Sequence, residues 1–141
     1  MPRTTDHLAV LQQAYLATHY IVDTEPPFVL IIGKVNAALA SLYTGRGVNC
    51  CAYLTAHNPH SQRLSAEANT LHQQALIYDI QNTGLEMIEG RGQHPDGAWP
   101  AEPSILVLGM NRDLACELGR KYAQNAIVLC GPAALPELVW L

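Results

Sequence analysis

Apolar and polar positions alternate along the chain in two rhythms, and their order predicts the architecture. Behind Thr5 or Asp6 as a cap, Leu8, Leu11 and Tyr15 recur at helical spacing, which predicts a first helix over residues 6–17. Residues 18–22 (Thr-His-Tyr-Ile-Val) are β-branched and aromatic, and the turn formers of residues 23–27 lead into a second apolar run at 28–33. This reads as a hairpin. Residues 36–47 end in glycines around Arg46 and read as a connection, followed by a third strand over 49–55. Ala68, Leu71, Ala75 and Tyr78 trace the face of a long helix over 65–81, closed by Asn82-Thr83-Gly84. Strands are expected at 85–89 and 104–109, separated by a polar loop. A helix from Asn111 or Asp113 to Ala123, with Leu114, Leu118 and Tyr122 inward, precedes a closing strand at 126–130 and a proline-marked tail.

The resulting order is αβββαββαβ: three helices and about five to six strands in one domain spanning residues 1–141. Short links between neighbouring strands favour a mainly antiparallel sheet with helices on one face, the α+β class. A parallel doubly wound sheet needs helices between most strands, and the pattern lacks them.

Composition narrows the function classes. With 49% hydrophobic and 14% charged residues, the chain has ample material for a core, and disorder is not expected. Twelve acidic residues against eight basic ones give a net charge of -4, which supplies no footprint for a nucleic-acid backbone. The first ten residues lack the apolar core of a signal peptide, and the longest purely apolar run, residues 28–32, is too short to cross a bilayer. A soluble, cytoplasmic protein with no nucleic-acid or membrane partner is expected. Cys50, Cys51, Cys116 and Cys130 read as reduced thiols, the first two pointing to opposite faces of one strand. The apolar tail over 135–141, with Trp140, is a candidate cover for a sheet edge in its own subunit or in a neighbour's, so a homo-oligomer through the C-terminal segment is open.

Chemistry concentrates in two loops. The corner Thr55-Ala56-His57-Asn58-Pro59-His60-Ser61-Gln62-Arg63-Leu64-Ser65 joins a strand to the long helix, and Trp99-Pro100-Ala101-Glu102-Pro103-Ser104 enters a later strand. Asn58-Pro59 is a turn starter, Ser61 or Ser65 a helix cap, and Glu67 suits the helix dipole. His57, His60, Arg63 and Asn69 exceed what capping needs and add donors and a cation beside a helix N-terminus, where a small anion is favoured. Glu102, set among prolines, is a candidate for burial and a raised pKa. Its structural alternative is a carboxylate holding backbone amides or Arg63, with Trp99 as a core lid.

Together with Tyr15-x-x-Thr18-x-Tyr20, Gly33-Lys34 and Tyr122-Ala123-Gln124-Asn125-Ala126, the two loops resemble the bacterial domain of unknown function 3293 over nearly the whole chain. There the corner reads Thr-Ala-Trp/His-Asn-Pro with a serine and a downstream Asn, and the later loop Trp-x-x-Glu-Pro-Ser. The resemblance implies a shared α+β domain and shared polar positions, and no reaction, substrate or cofactor.

Other chemistries find little support. His57-x-x-His60 with His72 lacks the context of a metal site, so no metal and no cofactor are expected. The GRG triplets at 45–47 and 90–92 lack the setting of a phosphate loop, and Cys50 or Cys51 beside His57 is disfavoured as a nucleophile by burial in a strand. The leading expectation is a binding module in which Asn58, Ser61, Arg63, Asn69, Trp99, Glu102 and Gln124 receive a small polar or anionic ligand or a partner's segment. The alternatives are a hydrolase or transferase with His57 or Glu102 as acid or base, and a structural protein whose polar groups satisfy one another. All three require the two loops to meet.

Overall fold

The structure, a computed structural model, describes residues 5–97 and 100–141. Four helices, α1 Thr5–Ala17, α2 Ala37–Arg46, α3 Ala66–Gln81 and α4 Arg112–Lys121, accompany seven strands. The strands are β1 His19–Val22, β2 Phe28–Leu30, β3 Cys51–Leu54, β4 Met87–Gln93, β5 Glu102–Leu108, β6 Ala126–Cys130 and β7 Pro136–Trp140. They form one antiparallel sheet in the order β2-β1-β4-β5-β3-β6-β7. The fold class is α+β, with one helix and one strand more than the upper expectation.

Alternation along the central strands divides the core. Ala52, Leu54, Ile105, Val107, Ile127 and Leu129 pack beneath α3 and α4, while Cys51, Tyr53, Leu106, Leu108, Val128 and Cys130 pack with Leu39 and Tyr43 of α2. Helices therefore cover both faces, which corrects the expectation of a single covered face. The reason is visible in β3 and β6, where every residue is buried: a strand apolar on both sides must be covered on both.

The second cluster runs from Leu30 of β2 to Val128 of β6, so strands far apart in the sheet order share one interior. The sheet curls to achieve this. Beyond β2, the Gly33 amide donates to the carbonyl of Pro136, the first residue of β7, and the Asn36 amide to that of Ala134 just ahead of it, each at 2.9 Å. At the other end of β7, Trp140 meets Tyr15 of α1 edge to face, with centroids 5.6 Å apart.

Three local differences from the sequence reading have identifiable causes. Residues 36–47 form a helix: the Asn36 side chain accepts from Leu39 N–H, Gly47 closes the helix in the left-handed region, and Leu39 and Tyr43 are buried one turn apart. The proline-marked tail is β7, paired with β6 of the same chain from Cys130↔Pro136 to Ala126↔Trp140. On α3 the buried residues are Asn69, Gln73, Leu76 and Ile80, whereas Leu71 and Tyr78, expected inward, are 67% and 64% exposed. Two amides on the inner stripe displaced the apolar signal by one to two positions.

β4 extends to Gln93 and carries the second GRG triplet inside the sheet, paired with both β1 and β5. Gly90 is required there because a Cβ would lie 2.1 Å from the Ile21 carbonyl oxygen. That oxygen also accepts from the Tyr53 hydroxyl at 2.7 Å, so strand, carbonyl and phenol share one tight spot.

Candidate functional site

β3 ends at Leu54 and releases the chain into the corner, where the first polar group, Thr55, ties back to β5. Its hydroxyl donates to the Pro103 carbonyl at 2.9 Å and receives the His57 N–H at 3.1 Å. The Ala56 N–H donates to Gln73 Oε1 of α3 at 2.8 Å. Pro59–Ser61 then form a short 3-10 turn, flanked and filled by left-handed residues: Asn58 has φ 47°, His60 φ 53° and Ser61 φ 60°. Non-glycine residues take this region only when surroundings enforce it, Asn most readily.

The enforcement comes from side-chain amides. Asn58 N–H donates to Asn69 Oδ1 at 2.9 Å, and Asn69 Nδ2 returns a bond to Asn58 Oδ1 at 2.9 Å. Asn58 Oδ1 also accepts from Leu64 N–H at 3.0 Å, and Asn58 Nδ2 donates to Glu102 Oε1 at 2.9 Å. One side chain thus joins the turn, α3 and the start of β5. On the far side, His60 N–H donates to the Ala123 carbonyl, Asn125 Nδ2 to Ser61 Oγ at 2.6 Å, and Gln124 Nε2 to the His57 carbonyl at 3.0 Å. The α4–β6 connection therefore clamps the same turn.

The two loops singled out from the sequence meet here. Asn58, Asn69 and Glu102 are in direct contact, while Ser61 and Gln124 join through their neighbours Asn125 and His57. Arg63 is exposed and makes no ion pair among the described residues, so Glu102 is held by Asn58 and not by Arg63. Ser65, not Ser61, caps α3, accepting from Ala68 N–H at 3.1 Å. Trp99 lies outside the described residues. Thr55 and Gln73 were not anticipated; the available signal was Gln73 sitting one turn from Asn69 on the stripe continued by Leu76 and Ile80.

Burial sets the electrostatics. It raises the pKa of Glu102 above the usual carboxylate range, with the Asn58 amide opposing, and lowers that of His57, which also feels His72. The Glu102 carboxyl has one hydrogen bond among the described residues, that from Asn58, while the buried Gln73 Nε2 has none. No group of three His, Cys, Asp or Glu side chains among the described residues is placed to hold a metal ion.

Behind the turn, an open groove of about 580 Å³ runs between α3 and α4, lined by Pro59, His72, Ala75, Tyr78, Asp79, Lys121, Tyr122 and Ala123. Asp79 Oδ2 accepts from Lys121 Nζ at 2.8 Å and from the Tyr122 hydroxyl at 2.5 Å, and these bonds hold its pKa below the ordinary value. None of the described residues singled out as ligand-binding lines this groove; Pro59 and Ala123, neighbours of Asn58 and Gln124, do.

These features define an antiparallel α+β domain with an amide-braced corner beside an open groove. A family model described as "Protein of unknown function (DUF3293)" matches residues 54–127, just over half of the 141 residues. The chain belongs to this family. The matched segment contains the corner, α3, Glu102 and the α4–β6 clamp, and stops short of Tyr15, Thr18, Tyr20, Gly33 and Lys34. No curated protein and no solved structure matches the chain. Among the described residues, no helix is long and apolar enough to cross a membrane.

Proposed function

We propose that the protein is a binding module whose occupant is a small polar ligand seated beside the corner, in the groove between α3 and α4. The observation that carries this reading is the position of Pro59 and Ala123: both line the groove, and both belong to the segments that the Asn58 network and the His60–Ala123 bond hold in place. A site whose wall is fixed in advance loses less freedom on binding. Ala75, Pro59 and Tyr122 offer apolar surface, and His72 and the Asp79–Lys121 pair offer polar groups of both signs, which suits a compact molecule with an apolar body and a polar or zwitterionic end. Asn58 and Asn69, already bonded to each other, act in this reading by positioning.

The experiment is a thermal-shift screen of small polar metabolites against the wild type and Ala75→Trp, which fills the groove from an exposed position. Compounds that raise the melting temperature of the wild type and leave that of A75W unchanged support the reading. Equal shifts in both proteins remove the groove as the site.

An acid–base enzyme is a second reading, favoured by one observation: Glu102 combines burial, a raised pKa and a carboxyl with a single described hydrogen bond. Incubating each stabilising compound with the protein separates the two. A compound recovered unchanged belongs to a binder, and turnover lost in Glu102→Gln belongs to the enzyme.

A further inference from the structure

Cys51 opens β3, Cys130 closes β6, and the two are direct partners at the last rung of the β3–β6 ladder. Directly opposite residues project from the same face of a sheet. The thiols therefore stand side by side inside the curl, on residues 1% and 2% exposed.

The type of rung follows from the neighbouring bonds. Gly109 N–H donates to the Cys50 carbonyl, so Cys50 bonds toward β5 and Cys51 toward β6. Leu141 N–H donates to the Asn125 carbonyl, so residue 125 bonds toward β7 and Cys130, an odd number of positions on, toward β3. Cys51↔Cys130 is a hydrogen-bonded pair, with a Cα separation of about 5.5 Å. That lies inside the roughly 4.4–6.8 Å spanned by disulfides, but hydrogen-bonded partners hold their Cβ atoms about 5.5 Å apart, beyond the roughly 3.5–4.5 Å of a relaxed disulfide. A bond here therefore closes only with a shift of this terminal rung and is strained and readily reduced.

We propose that Cys51 and Cys130 are a reversible dithiol–disulfide pair that closes a cross-strand bond when the protein meets a peroxide. The Cys51 thiolate attacks one peroxide oxygen; the O–O bond breaks, a sulfenic acid forms, and the departing hydroxide takes up a proton to leave as water. Cys130 sulfur then displaces the sulfenic oxygen, the S–S bond forms as the S–O bond breaks, and the thiol proton leaves with a second water. Two thiols lose two electrons and the peroxide gains them. A thiol reductant reverses the change and becomes a disulfide itself.

Cys51 is the attacking sulfur because a hydrogen bond with the Cys130 thiol lowers its pKa against the effect of burial, and Tyr43 adds to this. The Tyr43 hydroxyl lies 3.6 Å from Cys51 Sγ and 3.1 Å from the Cys130 carbonyl oxygen, so α2 sits directly over the pair. Access comes from the position of the rung. It is the terminal one, with half-exposed Cys50 before β3 and half-exposed Gly131 after β6, and strand ends open first. The remaining thiols are placed elsewhere: Cys50 donates to the Met110 carbonyl at 3.4 Å, and Cys116 lies on the buried face of α4.

The test treats the folded protein with hydrogen peroxide, blocks free thiols with an alkylating agent and maps tryptic peptides by mass spectrometry. Residues 47–63 and 122–141 should appear joined, two hydrogens lighter than the separate peptides, and a thiol reductant should restore them. Cys50→Ala retains the link and makes its assignment to Cys51 unambiguous; Cys116→Ala retains it; Cys51→Ala abolishes it. A Cys50–Cys51 link, oxygen added at either thiol without the link, or four alkylated cysteines in the treated wild type overturns the proposal. Because the wild type alone decides this, a poorly folding variant does not.

Discussion

Replacing Asn58 with alanine removes the side chain through which the turn, α3 and β5 are joined. Two neutral bonds vanish, from Leu64 N–H and from Asn69 Nδ2, together with one to the Glu102 carboxyl. Neutral bonds contribute about 1 kcal/mol net each and a bond to a charged group about 1.5–3 kcal/mol. Alanine in the left-handed region adds about 1 kcal/mol that asparagine largely escapes. The sum is about 5 kcal/mol, but Asn58 and Glu102 are each only partly buried and water recovers some of the loss, so the expected destabilisation is about 3 kcal/mol. Urea unfolding at neutral pH measures it as a lower midpoint at unchanged slope. Asn58→Gly should be milder by about 1 kcal/mol, since glycine tolerates φ 47° and lacks only the bonds. A double-mutant cycle with Glu102→Ala should show coupling of about 1 kcal/mol or more. A loss below about 1 kcal/mol in Asn58→Ala, or no coupling to Glu102, refutes the claim that this side chain is the hub.

The pH dependence of stability tests Glu102. Burial raises its folded pKa, so between the ordinary carboxylate value and that raised value the folded protein binds more protons than the unfolded chain, and its contribution to stability falls as pH rises. Glu102→Gln keeps an acceptor for Asn58 and should flatten this decline from about pH 4 upward; parallel profiles for both proteins count against it. Gly90→Ala forces a Cβ against the Ile21 carbonyl and should cost about 3 kcal/mol or more in urea unfolding, a change within 1 kcal/mol showing that β1 and β4 can part. Tyr43→Phe removes the donor facing the Cys130 and Gly131 carbonyls and should cost about 1–2 kcal/mol by the same measurement; no change means water replaces the phenol.

What was legible in the sequence followed from how each element is held. β2, β3 and β6 announce themselves because they are apolar over their whole length, and α4 because Asn111 caps it and Leu114 and Leu118 follow at helical spacing. The helix at 37–46 was obscured by glycine at 45 and 47, although Asn36 and Gly47 are its cap and its stop. β7 was obscured by prolines that stand before and at its first residue, where a missing N–H is tolerated on an edge strand. The inner face of α3 was misplaced for a physical reason: its N-terminal half buries amides that answer the corner's backbone, and no apolar rhythm marks them. The meeting of Asn58 with Glu102 depends on β3 and β5 being neighbours, which short-range pattern cannot supply.

The polar residues of the corner have two separable roles, and the separation gives the binding proposal its consequence. Asn58 and Asn69 spend their groups on each other, on backbone and on Glu102, and they hold three left-handed residues in a conformation the chain does not favour by itself. Their substitution should therefore lower stability and ligand affinity together, through the loss of the Pro59 wall. His72 and Ala75 line the groove without joining that network, so their substitution should change affinity while leaving the urea midpoint nearly fixed. If affinity follows stability across both sets, the corner is a brace for the fold alone; if it divides along this line, the brace exists to shape the groove.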